Sequence, residues 1–155
     1  MKWMLTIRLP RSVQRVMTNA CRHAGRRETG GMLFGEHLGP DDFRIVEATV
    51  AGTGGFASFV RGVIDGMPLL DSFFRKTKRD YRRFNYIGEW HSHPSFPLRP
   101  SGPDDDAMFD IVKDATTGAL FAVSIIVRVN VQLEAAAFAY YACGIRDDAD
   151  IVIEA

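Results

Sequence analysis

The segment GEWHSHPSFPLRPSGPD, residues 88–104, constrains this chain more than any other part of it. Side chains alternate across a β-strand, so His91 and His93, which end the run YIGEWHSH, are predicted to point to the same face. Pro94 follows them and ends the strand, because proline has no backbone N–H to donate to a sheet. Two imidazole groups should therefore lie side by side at the end of a strand.

The same segment predicts the start of a helix. Ser101 has the position of an N-terminal cap, Pro103 suits the first turn, and Asp104 falls within that turn. A carboxylate there also suits the helix dipole, so the three consecutive aspartates have a purely structural explanation. Two histidine nitrogens and one aspartate oxygen, however, form a sound ligand set for a catalytic zinc ion with a fourth position open to water. His91, His93 and Asp104 are therefore candidate zinc ligands.

The composition favours one globular domain over residues 1–155, since 46% of the residues are hydrophobic. Nineteen basic and nineteen acidic residues cancel, so no long-range attraction to nucleic acid or to an acidic membrane is predicted. No stretch approaches the roughly 20 apolar residues of a membrane span. Arg8 and Pro10 interrupt the first apolar run before it reaches the length of a signal peptide core. We expect a cytoplasmic protein.

The remaining cysteines and histidines show no ligand spacing. Cys21 and Cys143 lie far apart and in no C-x-x-C pattern, which argues against a disulfide framework and against a thiolate zinc site. We expect both to be buried free thiols. His23 and His37 stand alone in the sequence and are expected at the surface.

Hydrophobic periodicity predicts an α+β fold, in which helices pack on a sheet. The predicted strands are residues 3–9, 28–39, 43–52, 56–63, 86–93, 119–129 and 131–142, and the predicted helices are residues 10–25, 67–84 and 103–116. The second helix has a basic end at residues 75–83. A solvated face is the favoured explanation of those charges, and contact with an acidic partner is the alternative.

The string H-S-H-P-x6-S-x2-D, from His91 to Asp104, resembles the signature of the JAMM (MPN+) metalloproteases, also called JAB domains. That family has an upstream glutamate in an E-x-G-G-x-L-x-G setting, and this chain has E-T-G-G-M-L-F-G from Glu28. The resemblance covers residues 28–116 in matching order of strands and helices. It implies the MPN/JAB (cytidine-deaminase-like) fold, a mixed, largely antiparallel curved sheet flanked by helices.

The resemblance also implies a role for each site residue. His91, His93 and Asp104 would bind Zn²⁺, and Glu28 would take a proton from the attacking water and pass it to the leaving amine. Ser101 would hydrogen-bond the developing oxyanion or the water, with a role as a helix cap alone left open. Glu89 shares the face of the histidines by strand parity, so it is a rival base or a hydrogen-bond partner of a ligand.

The family resemblance implies a zinc-dependent hydrolase, an isopeptidase or peptidase that cleaves after the C-terminal tail of a ubiquitin-like protein. The chain is similar to compact, stand-alone prokaryotic members that work beside ubiquitin-like conjugation or antiphage systems. The expected partner is a ubiquitin-like protein or its conjugate, whose tail would lie along an exposed sheet edge, and no nucleic acid or membrane partner is expected. Two alternatives stay open: a processing peptidase for a sulfur carrier or phage-tail substrate, and a non-catalytic MPN scaffold. The intact ligand set argues against the scaffold.

Overall fold

The computed structural model describes residues 4–51, 67–114 and 120–155, so the strand predicted at 56–63 lies outside the described residues. The strands are β1 (Thr6–Leu9), β2 (Gly30–Gly39), β3 (Asp42–Ala48), β4 (Phe84–Ser92), β5 (Phe121–Val129), β6 (Leu133–Tyr141) and β7 (Arg146–Ile153). The helices are α1 (Arg11–Ala24), α2 (Met67–Lys76) and α3 (Gly102–Lys113). No helix within these described ranges is long and apolar enough to cross a membrane.

The strands hydrogen-bond in the order β1-β3-β2-β4-β5-β6-β7, and β7 pairs back onto β1, which closes the sheet into a barrel. The pairs β2–β3, β2–β4, β5–β6 and β6–β7 are antiparallel, whereas β1–β3, β1–β7 and β4–β5 are parallel. The prediction of a mixed, largely antiparallel curved sheet with helices is therefore confirmed. Each of these strands has two neighbours, so the part of the chain that is described offers no edge strand for a substrate tail.

Three elements or positions differ from the sequence prediction. The second helix ends at Lys76 and not at residue 84, because Lys78 and Arg79 adopt positive φ angles of 56° and 57° that no α-helix can include. The basic residues 75–83 thus lie mostly in a turn. Strand β7 was not predicted, because its aspartates interrupt the alternation of apolar and polar residues that indicates a strand. The expectation of buried thiols is wrong for Cys143, which is exposed, and Cys21 is only half-buried.

Helices cover both faces of the sheet around β4. On one face, Trp90 and Ile125 belong to a buried cluster that includes Met17 of α1. On the other face, Ile126 packs with Met108 of α3. His91 pairs with Ile126 in the parallel register of β4 and β5, so its side chain lies on the face that α3 covers. Strand β4 therefore presents His91 beneath α3 and Trp90 to the opposite core.

Two glycines let β2 approach its neighbours closely. A Cβ on Gly31 would overlap the carbonyl oxygen of Thr49, and a Cβ on Gly30 would overlap the carbonyl of Trp90 and lie 3.1 Å from the Cβ of His91. The same Thr49 oxygen accepts a hydrogen bond of 2.8 Å from the Trp90 indole N–H. Small residues are therefore required where β2 passes the histidine-bearing end of β4.

We predict that Gly31→Ala destabilises the fold by about 1–3 kcal/mol, because the new methyl group must displace backbone and not a flexible side chain. Gly39→Ala is the matched control, since a Cβ there would meet no heavy atom within 4 Å. Urea unfolding of both variants measures the difference. Equal midpoints for Gly31→Ala and the wild-type protein would show that the strands are not so closely packed.

Candidate metal centre

Three potential ligand atoms converge where β4 ends and α3 begins. The Nε2 atoms of His91 and His93 are 3.0 Å apart, and each lies 3.3 Å from Oδ2 of Asp104. All three side chains are buried. Ligand atoms about 2.0–2.1 Å from a tetrahedral zinc ion are about 3.3–3.4 Å from one another. The three side chains could therefore hold a metal ion, and their spacing is compatible with zinc; that they bind zinc stays a prediction.

Local hydrogen bonds orient His93 and fix the end of β4. Nδ1 of His93 lies 2.9 Å from the carbonyl oxygen of Pro97. A carbonyl only accepts, so Nδ1 carries a proton and donates it to Pro97, and Nε2 is the nitrogen directed at the other two ligands. Between the histidines, Ser92 points away and its Oγ accepts the Thr29 backbone N–H at 3.0 Å. That contact ties this end of β4 to the start of β2.

The N-terminal cap of α3 holds the carboxylate of Asp104. Ser101 Oγ accepts the Asp104 backbone N–H at 3.2 Å, and the Ser101 backbone N–H donates to Asp104 Oδ2 at 2.9 Å. Burial opposes ionisation of Asp104, but hydrogen bonds from His91, His93 and the Ser101 N–H outweigh it and hold its pKa well below the usual value. Asp104 is therefore ionised, which is the form that binds a cation.

Ser101 is a helix cap, as one of the two sequence interpretations holds. Its Oγ accepts through a lone pair, so the hydroxyl hydrogen is not used by the cap. The side chain also lines the pocket in front of the candidate ligands. The cap and the predicted contact with an oxyanion are thus compatible, and the second role stays a prediction.

Glu28 lies at the same pocket, which has a volume of about 320 Å³ and is also lined by His93, Ser101 and Asp104. Gly30 pairs with His91 in the antiparallel register, so two residues earlier the chain brings Glu28 opposite His93. The hydrogen bond with Asp104 is the main cause that raises the pKa of His93, and the charge of Glu28 adds to it. The half-buried Glu28 carboxylate thus faces the candidate metal site.

Glu89, the rival base, is fully buried and is not among the residues that line this pocket. A bulge in β4 at Ile87 brings Tyr86 to the same face, and the Tyr86 hydroxyl donates to Glu89 Oε1 at 2.6 Å. Burial raises the pKa of Glu89 well above its usual value, although the bond from Tyr86 opposes the shift. A fully buried carboxyl group whose ionisation is opposed by burial is poorly placed to accept a proton from water in the cleft.

The other two histidines lie outside the candidate metal site. His23 and His37 are exposed and lie away from the three ligands, as predicted, and the ring of His37 stacks on Phe43 with centroids 4.7 Å apart.

Arg99 lines the pocket but was not singled out from the sequence. It lies in the irregular segment between β4 and α3, where no periodicity indicates the direction of a side chain. Only its place between the two halves of the ligand motif could have drawn attention to it.

Comparison with known proteins gives three likenesses. The family model for prokaryotic homologues of the JAB domain matches residues 10–140. A CD-NTase/cGAS isopeptidase of Enterobacter hormaechei subsp. hoffmannii is 34% identical over 125 residues, which cover 78% of this chain and 66% of that protein. This chain therefore spans just under two thirds of that relative's length. The solution structure of a protein from Desulfitobacterium hafniense has a TM-score of 0.67 at 21% identity, over 96% of this chain and 92% of the other, a likeness of fold alone.

We predict that the purified protein binds about one zinc ion per chain, and that His91→Ala or Asp104→Ala removes most of it, because three protein ligands complete such a site. Elemental analysis after dialysis gives the ratio, and His37→Ala is the control because His37 is exposed and distant. Unfolding should shift only moderately, since the ligands sit on a packed core. A folded wild-type protein that takes up no added zinc would contradict the assignment.

Proposed function

The chain belongs to the family of prokaryotic homologues of the JAB domain, and on that premise we propose that it is a zinc-dependent isopeptidase or peptidase. Its proposed substrate is the bond that follows the C-terminal tail of a ubiquitin-like protein. The observation that carries the proposal is the convergence of His91, His93 and Asp104, with ligand atoms 3.0–3.3 Å apart. The relative named as an isopeptidase supports the hydrolysis of an amide bond.

The ligand residues are prepared for a metal by their protonation states. Asp104 is ionised, and the contact of His93 Nδ1 with the Pro97 carbonyl makes Nε2 the nitrogen that would bind the metal. A zinc ion held by these residues would supply Lewis-acid activation of the attacking water and of the scissile carbonyl. Burial of the ligands beneath α3 protects them from competition with solvent.

Glu28 is the proposed general base and general acid. One of its carboxylate oxygens accepts the proton of the attacking water as the new carbon–oxygen bond forms. The same proton then passes to the leaving nitrogen as the carbon–nitrogen bond breaks, which returns Glu28 to its ionised form. Its place in the pocket with His93 and Asp104 supports this role, and the burial of Glu89 argues against the rival.

Ser101 is the proposed oxyanion partner. Its hydroxyl hydrogen is not used by the helix cap and can donate to the carbonyl oxygen as negative charge develops there. The pocket is also lined by Phe96 and Pro97, which offer apolar walls to an extended chain.

The direct test is to incubate the zinc-loaded protein with a panel of bacterial ubiquitin-like proteins and to identify the products by mass spectrometry. Each ubiquitin-like protein is joined through its C-terminal tail to a second protein. We expect cleavage directly after the tail, dependent on zinc. The panel includes precursors of sulfur carriers, and cleavage of these alone would favour the processing alternative. A zinc-loaded protein that cleaves no member would contradict the proposal.

We predict that Glu28→Gln keeps the zinc and the fold while hydrolysis falls about 10²- to 10⁴-fold, because an amide cannot accept the proton. Glu89→Gln is the matched control, since its amide oxygen still accepts the Tyr86 hydroxyl. At saturating zinc it should stay within a few fold of the wild-type rate. Loss of cleavage in Glu89→Gln, with Glu28→Gln nearly unchanged, would assign the base to Glu89 instead.

A further inference from the structure

The pairing between β6 and β7 covers only part of each strand. The ladder joins Ala137–Tyr140 of β6 to Arg146–Ala149 of β7. From Asp150 onward, β7 pairs with β1 on its other side. Residues 133–136 of β6 are therefore paired with β5 alone. Although β6 has two neighbours, the barrel is open beside this half of the strand.

The backbone groups at this opening face the space between the two strands. The Tyr141 N–H donates to the carbonyl oxygen of the residue just before β7. Backbone groups alternate sides along a strand, so the N–H and C=O of Ala135 point to the same side as those of Tyr141. On β7, the Asp150 N–H donates to Leu5, so the backbone groups of Ile151 point towards β6. Two strand edges with no ladder between them therefore face each other.

A groove of about 690 Å³ occupies this opening, and we call it the β6–β7 groove. It is lined by residues 135–138 of β6, residues 146 and 148–151 of β7, and residues 98–100 of the segment before α3. The alanines at 135 and 136 are half-buried, whereas the paired residues 137–140 are buried. Small side chains thus leave the backbone of β6 accessible from the groove.

The groove lies on the same face of the sheet as the candidate ligands. Arg146 of β7 forms an ion pair with Asp105 of α3 at 2.9 Å. Since side chains alternate along a strand, Asp148 and Asp150 share the face of Arg146. His91 also lies on the face that α3 covers. A chain bound in the groove and a chain at the metal site are therefore on one side of the barrel.

The strand register sets the distance between the groove and the ligands. Ser92, next to His93, pairs with Val127 of β5, and Val127 pairs with Ala135 of β6. Neighbouring strands are about 4.8 Å apart, so the space beyond β6 lies about 14 Å from this end of β4. An extended peptide covers that distance in about four residues. One short segment can therefore occupy both places.

Arg99 lies between the groove and the metal pocket and lines both. Its backbone N–H donates to the Pro97 carbonyl at 2.8 Å, the same oxygen that contacts Nδ1 of His93. Its side chain is exposed and forms no ion pair with a described residue. A guanidinium group at this point suits the carbonyl oxygens of a peptide that passes from one cavity to the other.

We propose that the β6–β7 groove binds an extended, basic segment of the substrate by strand addition to Ala135, about four residues from the scissile bond. The inference rests on the proposed function and adds how the chain beside the scissile bond is held. The free edge of β6 provides backbone hydrogen bonds. Asp148 and Asp150 are exposed, form no ion pair within the described residues and favour a positive side chain.

The first test measures the binding of fluorescent octapeptides by fluorescence anisotropy. A peptide of alternating lysine and threonine should bind about tenfold more tightly than one of alternating glutamate and threonine. Methylation of every backbone nitrogen of the lysine peptide keeps its charge but removes its donors, and should weaken binding about tenfold or more. Equal binding of the methylated and unmethylated peptides would overturn strand addition.

The second test locates the acidic wall. Asp148→Asn with Asp150→Asn should weaken binding of the lysine peptide about tenfold, because both carboxylates face the groove. Asp80→Asn with Asp110→Asn is the matched control, since both residues are exposed, lie outside the groove and form no ion pair with a described residue. The control should stay within about threefold of wild type. Equal losses in the two variants would overturn the proposal.

Two proline variants test the free edge of β6. Ala135→Pro removes an N–H that faces the groove and no donor of the β5–β6 ladder, so it should weaken peptide binding while the protein melts close to the wild-type temperature. Ala136→Pro removes a donor to β5 and should melt much lower. Equal drops in melting temperature would show that the edge is not free and would overturn the proposal.

A second copy of the chain is another occupant that a free strand edge admits. Sedimentation should give the same mass for the wild-type and Ala135→Pro proteins. A wild-type dimer that Ala135→Pro dissociates would assign the groove to self-association and would overturn the proposal.

Kinetics on a conjugate from the panel separate this inference from the proposed function. For a conjugate with a lysine about four residues from the scissile bond, Asp148→Asn with Asp150→Asn should raise KM about tenfold, with most of the change in KM and not in kcat. An unchanged KM would reject the groove alone. Absence of cleavage by the wild-type protein would reject the proposed function, and with it the substrate as the occupant of the groove.

Discussion

The hydrogen bonds between Ser101 and Asp104 are the interactions on which the candidate site depends. They begin α3, and they hold the carboxylate whose Oδ2 lies 3.3 Å from both histidine nitrogens. One local motif therefore performs two tasks, since the cap that stabilises the helix is also the support of a candidate metal ligand. The ionised state of Asp104 follows from the same contacts, because the hydrogen bonds outweigh the cost of burial.

Close packing of β2 against β4 completes the arrangement. Gly30 permits the approach to His91, and the contact between Thr29 and Ser92 holds the two strands together beside the ligands. Glu28 lies just before this contact, so its position follows from the sheet and not from a flexible loop. This support suits the proposed general acid–base role of Glu28, which requires a constant distance from the reacting atoms.

The sequence alone determined the candidate ligands, because their arrangement depends on short-range rules: alternation along a strand places His91 with His93, and a helix cap places Asp104. The spacing of hydrophobic residues also predicted the fold class and the positions of most helices and strands. It did not predict β7, whose strand depends on hydrogen bonds to distant β1 and β6. The family resemblance favours Glu28 over Glu89, but only the tertiary structure gives a physical reason for the choice. Strand parity puts Glu89 with the histidines, but the packing of α3 and the bulge at Ile87 bury it against Tyr86, while pairing with β2 brings Glu28 to the cleft. Burial and strand pairing between distant segments determine which carboxylate contacts solvent, and neither can be predicted from a local sequence pattern.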